Sequence, residues 1–192
     1  MTENFQVLLN NLWNTALTMG VLVIGLWVIH LVDTFLLRQW LKKQFGIRPR
    51  THFNPLNLLI APLLHVDFGH LAANTIPFFV LGGLVMVQGS LVFWLASLII
   101  ALVGGLGVWF FGQPNTLHVG ASILILGYFG FLLGNVYASP DLATIIIAVI
   151  VAIFYLGLIW QIVPLKQGVS TAGHLFGFVG GVLAALIPLI LN

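Results

Sequence analysis

The chain has 192 residues, of which 60% are hydrophobic and only 5% charged, whereas about a quarter of residues are charged in soluble domains. That excludes a water-soluble globular fold. A net charge of +2 is too small for a nucleic-acid footprint, and the lack of cysteine excludes disulfides and thiolate metal sites.

The N-terminus, "MTENFQVLLNNLWN", lacks the basic start and short apolar core of a cleavable signal, so residues 1–12 are expected as a short tail and the first apolar run as a retained span. A helix crosses a bilayer core with about 20 apolar residues. On that ruler six spans are expected, near 13–37, 68–87, 90–111, 119–137, 141–163 and 169–191, in one membrane domain over 13–192. The predicted fold is all-α and polytopic. "GQPNT", "ASPD" and "VPLKQGVS" carry the residues that stop helices. The first connection, 38–67, is much longer and holds "LNLLIAPLL", too short to span and read as interfacial or re-entrant, which requires protein to cover its backbone.

Glycines crowd the later spans. Gly130 with Gly134 and Gly177 with Gly181 are small-xxx-small pairs that let helix backbones approach closely. Spans four and six are therefore expected at the packed centre, although glycine is common in membrane helices and by itself says nothing about chemistry.

Ionisable groups inside a span cost about 2.5 kcal/mol or more on insertion scales, so each needs a reason. The sequence offers His30 and Asp33 in span one, His65, Asp67, His70 and Asn74 around the start of span two, His118 and Ser122 around the start of span four, and His174 in span six. His70 and Asn74 are four apart and share a helix face; both carry side-chain N–H donors of the kind an oxyanion needs. His174 shares the small face of Gly177 and Gly181, which aims it at Ser122. A serine hydroxyl beside an imidazole is the minimum for nucleophilic catalysis. No acid lies next to His174 in sequence, so the economical arrangement is a dyad. Taken singly, Ser122 reads as a packing serine, His174 as a histidine near interfacial water, and His70 with Asn74 as a structural polar pair. The four together are harder to assign to packing alone.

These residues resemble the rhomboid family of intramembrane serine proteases. "HVDFGHLAAN" (65–74) is similar to the family's His followed by His-x-x-x-Asn, "GAS" (120–122) to its nucleophile motif, and "GHLFGFVGG" (173–181) to its sixth helix. "FGIRPRT" and "GVSTAGHLFGFVGG" also look like a bacterial subgroup. The resemblance covers nearly all the chain from about residue 50. It implies a six-helix rhomboid-like bundle, Ser122 as nucleophile, His174 as general base, and His70, Asn74 and the Ser122 backbone N–H as oxyanion donors. It further implies transmembrane-helix protein substrates entering between spans two and five, residues 164–172 as a cap, contact with membrane lipid, no metal or cofactor, and a place in the bacterial inner membrane. Three positions depart from the family pattern: Ile123 where a glycine usually follows the nucleophile, Leu126 where an aromatic often stacks on the base, and Leu56-Asn57 where a Trp-Arg pair stands. Ile123 leaves two readings open: an obstacle that narrows the site or abolishes turnover, or a residue that belongs to this site.

All six Lys and Arg fall on connections one and five, on one side of the bundle. The positive-inside rule makes that side cytoplasmic, whereas the resemblance places the first loop and the site's mouth outside. Two further readings compete with a protease: an inactive relative that binds transmembrane helices, motivated by Ile123, and a small transporter using His30, Asp33, His65, Asp67 and His70 as an ion path. A metal held by His65, Asp67 and His70 is a weaker reading, and His30 with Asp33 could simply pair.

Overall fold

The computed structural model describes residues 2–161, 170–187 and 189. Most of the expected cap, residues 164–169, and the end of the sixth span lie outside the described residues. The elements run α1 (Thr2–Leu31), a π-helical turn (Val32–Leu36), α2 (Trp40–Phe45), α3 (Pro55–Ile60), a 3-10 turn (Ala61–Leu63), α4 (Phe68–Met86), α5 (Ser90–Phe111), α6 (Ser122–Ala138), α7 (Leu142–Tyr155), a second 3-10 turn (Leu156–Gln161) and α8 (Thr171–Ala184). The described residues form an all-α bundle.

Among the described residues four helical segments are long and apolar enough to cross a membrane: Phe5–Leu36, Phe68–Met86, Ser90–Phe111 and Leu142–Gln161. α6 and α8 are shorter, at 17 and 14 residues. At about 1.5 Å per residue, α6 is about 25 Å long, less than the roughly 30 Å hydrocarbon core. Its N-terminal residue, Ser122, is buried inside the bundle. α1 begins at Thr2, so most of the expected tail forms the first turns of a helix.

Charge and hydrogen bonding set the ends of these helices. Asp67 and Asp141 cap α4 and α7, their carboxylates accepting the backbone N–H groups of His70 and Thr144 at 2.8 and 2.9 Å. Asn54 caps α3, and Pro55 follows it where a missing N–H costs nothing. At the end of α1, the π-turn closes with a Leu37 N–H to Val32 carbonyl bond of 3.0 Å, and this rotates Asp33 onto α2, where it accepts from the N–H groups of Leu41 and Lys42 at 2.8 and 3.2 Å.

α6 is the central helix: every residue from Ser122 to Leu132 is buried. α8 packs along α6 and α5, and the glycines explain how closely. A methyl group added at Gly181 would overlap the carbonyl oxygen of Gly127, one at Gly130 would overlap that of Phe178, and one at Gly177 would lie 2.5 Å from that of Ile123. α5 joins the same seam, since a methyl at Gly104 would come within 3.3 Å of the Gly177 backbone. Backbone contact of this kind supplies the dispersion that holds helices together where lipid removes the hydrophobic drive. By contrast α1 and α7 expose most of their large apolar side chains, among them Val21, Ile24, Ile153 and Phe154, as helices facing lipid do.

The apolar run of the first connection folds as α3 and its 3-10 turn, pressed against α5 at Gly105, where a methyl would lie 2.8 Å from Leu58. Its Ala61 carbonyl accepts the Gly120 N–H at 3.0 Å. The same connection clips the end of α5: the Arg50 guanidinium donates to the Phe110 and Gly112 carbonyls at 3.2 and 2.9 Å, which completes carbonyls that a helix end leaves unsatisfied.

Candidate active site

Ser122 opens α6, and three separate pieces of chain fix the approach to it. Ile47 and His118 form an antiparallel bridge through both their backbone groups, at 3.0 and 2.9 Å. Two residues on, Gly120 adopts φ +128°, a conformation L side chains rarely take, and a Cβ there would meet the His70 ring at 2.5 Å. The Ala121 N–H then donates to His65 Nε2 at 3.4 Å. The turn leaves the backbone N–H of Ser122 in the first turn of a helix, where no carbonyl four residues back can take it and where the helix dipole favours negative charge.

His174, one turn into α8, places Nε2 2.9 Å from Ser122 Oγ in a buried contact. Its other nitrogen, Nδ1, lies 3.1 Å from the carbonyl oxygen of Gln161. A carbonyl can only accept, so Nδ1 carries the proton and Nε2 presents a lone pair to the serine hydroxyl. The imidazole is thereby held in the tautomer a general base requires, a task an acid performs in many serine hydrolases.

Asn74, buried on α4, has Nδ2 without a hydrogen-bond partner among the described residues. An unsatisfied buried amide costs about 1–3 kcal/mol, which makes it a donor awaiting an acceptor. His70 stands one turn earlier on the same helix with its ring against Gly120. A cavity of about 1230 Å³ joins these groups: His70, Asn74, Ser122 and His174 all line it, with Leu126 and Phe176 among its apolar walls. All four residues singled out from the sequence therefore face one space.

Other expectations come out differently. Ile123 does not line the cavity. It is 4% exposed and turns into the seam between α5 and α8, where methyl groups added at Gly104 and Gly173 would meet its Cγ2 and Cγ1. The branched side chain fills space those glycines leave open, so it does not narrow the site. His30 and Asp33 do not pair: Asp33 serves the α2 backbone, while the His30 ring meets Phe68 edge-on at 4.6 Å. Among the described residues no group of three His, Asp or Glu side chains converges as a metal site; Asp67 binds the α4 N-terminus instead, and the His70 N–H bond holds its carboxyl below the usual carboxylate range.

Two elements of the site escaped the sequence reading. The Gln161 carbonyl has no signature in a side-chain string, because any residue could supply it. The pair formed by His118 Nδ1 and Ser170 Oγ, 2.7 Å apart, had none either: both residues lie outside the helices, His118 on the bridge to Ile47 and Ser170 just before α8, so no helical spacing joins them. Burial lowers the His118 pKa from its ordinary value, leaving the ring neutral near pH 7.

Comparison with known proteins identifies the family. The family model for the Rhomboid domain matches residues 52–190. Uncharacterized proteins of Mycobacterium tuberculosis and Mycobacterium bovis are each 40% identical over 150 residues, a match covering 74% of this chain and 62% of theirs. One of Mycobacterium leprae is 36% identical over 138 residues, covering 66% of this chain and 53% of its own. The chain thus spans somewhat over half the length of these relatives. The site residues lie within the matched domain, and the chain belongs to the rhomboid family.

Proposed function

We propose that the protein is an intramembrane serine endopeptidase, which hydrolyses peptide bonds in or near the transmembrane helices of membrane-protein substrates. The observation that carries this is the 2.9 Å contact between Ser122 Oγ and His174 Nε2 on the wall of a cavity that His70 and Asn74 also line.

In this reading His174 Nε2 takes the Ser122 hydroxyl proton as Oγ attacks the scissile carbonyl carbon. The developing oxyanion accepts hydrogen bonds from Asn74 Nδ2, the His70 ring and the Ser122 N–H. Collapse breaks the C–N bond, and His174 returns its proton to the leaving amine. Water, deprotonated by the same imidazole, then hydrolyses the acyl-enzyme and frees Ser122. A peptide bond in a lipid-embedded helix is satisfied by its own hydrogen bond and has no water near it. Substrates with helix-weakening Gly or Pro near a membrane edge are therefore cut most readily.

The inactive-relative reading loses its motive, because Ile123 faces the helix seam. As to orientation, Lys42 Nζ donates to the Val66 carbonyl at 2.7 Å and Arg50 to the end of α5. Cations held by the protein's own carbonyls are a weaker topological signal than free ones, which favours the family arrangement with the site's mouth outside; the mycobacterial origin of the relatives supports a bacterial inner membrane. Incubating detergent-purified protein with a helix-breaking transmembrane substrate tests the activity: wild type cleaves it and Ser122→Ala does not. Equal cleavage by both defeats the proposal.

A further inference from the structure

The chain leading into α6 and the start of α8 are joined twice. Ser122 meets His174 at 2.9 Å, and four residues earlier on each segment His118 Nδ1 meets Ser170 Oγ at 2.7 Å. Proton positions along this second pair follow from its neighbours. Thr116 Oγ1 donates its single proton to the Gln113 carbonyl at 2.5 Å, so at His118 Nε2, 2.6 Å away, it can only accept. His118 therefore carries its proton on Nε2, and its bare Nδ1 accepts from the Ser170 hydroxyl.

Ser170 in turn governs the base. Its carbonyl accepts the His174 N–H at 2.9 Å, the first bond of the α8 turn that carries the imidazole. His118 is anchored independently of α8, by its two backbone bonds to Ile47 and by Gly112, where a Cβ would lie 3.3 Å from Nε2. The ring is thus a fixed post to which the beginning of α8 is tied.

We propose that His118 is a positioning residue: by accepting the Ser170 hydroxyl proton it fixes the first turn of α8, and with it the placement of the His174 imidazole against Ser122. This rests on the protease reading above. Misplacing a reacting pair by about 1 Å costs up to about 100-fold in rate, so the tie, whose two members line the same cavity, acts on the chemical step.

Two substitutions separate the two sides of the ring. His118→Asn sets an amide oxygen near the position of Nδ1 and keeps an acceptor for Ser170. His118→Gln reaches toward the position of Nε2, keeps the Thr116 side and loses the Ser170 bond. The experiment follows the rate at which a fluorophosphonate probe modifies Ser122 in the full chain in detergent, over a range of probe concentrations, with unfolding midpoints measured for each variant. His118→Gln and Ser170→Ala should each lower the maximal rate about tenfold at unchanged half-saturating probe, and together no further, while His118→Asn stays within about twofold of wild type. Equal rates for His118→Asn and His118→Gln, or an unaltered rate in Ser170→Ala, overturn the assignment. Histidine ring 15N resonances give a reading independent of turnover: Ser170→Ala should shift those of His174, and unchanged signals count against the tie. A wild type that fails to react with the probe defeats the protease reading, and the resonances then decide the tie alone.

Discussion

Replacing Ile123 by alanine asks whether the residue after the nucleophile obstructs the site or supports it. The side chain is 4% exposed and fills the space beside Gly104 and Gly173, away from the cavity. In a bilayer the transfer part of the loss is small, because lipid is as apolar as the core, and the cavity left behind dominates. A void of roughly 80 Å³ at about 24 cal/mol per Å³ gives about 2 kcal/mol of destabilisation. Because the same seam holds α8 and His174 against α6, cleavage should fall along with stability. Thermal unfolding of the purified protein and cleavage of a transmembrane substrate measure the two effects side by side. An Ile123→Ala protein that cuts faster than wild type at an unchanged unfolding midpoint would refute this packing assignment.

The glycine seam predicts a sharp contrast: Gly181→Ala should prevent folding, since its methyl overlaps a backbone carbonyl, whereas Gly25→Ala, with nothing within 4 Å, should be neutral or raise stability by up to about 1 kcal/mol on thermal unfolding. Asn74→Ala should slow cleavage about 100-fold, less than the complete loss in Ser122→Ala; equal losses in a cleavage assay argue against an oxyanion role. Asp67→Ala removes the α4 cap and should cost about 1 kcal/mol. Because the folded carboxyl lies below its ordinary pKa, its contribution is present above the unfolded value and lost as pH falls through the folded one. Unfolding midpoints measured against pH should therefore converge for wild type and Asp67→Ala in acid, and a gap that persists there contradicts the cap.

Much of this site was legible because its chemistry sits on regular spacing. His70 and Asn74 share a face by their separation of four, and the run of Gly177 and Gly181 announces the face on which His174 lies. Hydropathy marked apolar runs that coincide with α4, α5 and α6, while α1 begins before its apolar run because polar residues such as Asn10 and Asn11 interrupt that run without ending the helix. What stayed hidden depends on groups that every residue shares or on backbone shape. The Gln161 carbonyl that sets the His174 tautomer is one case, and the π-turn that sends Asp33 to α2 instead of His30 is another. The direction of Ile123 stayed open in the sequence because neighbours on a helix point in different directions, and it is set by α5 and α8.

The central claim is that Ser122 is a nucleophile activated by His174. It is tested most directly by treating the purified protein with a fluorophosphonate probe and locating the adduct by mass spectrometry. The account predicts a single modified residue, Ser122, with labelling abolished in His174→Ala that remains folded. Labelling that survives in His174→Ala at the wild-type rate, or an intact wild type that takes up no probe, would contradict it.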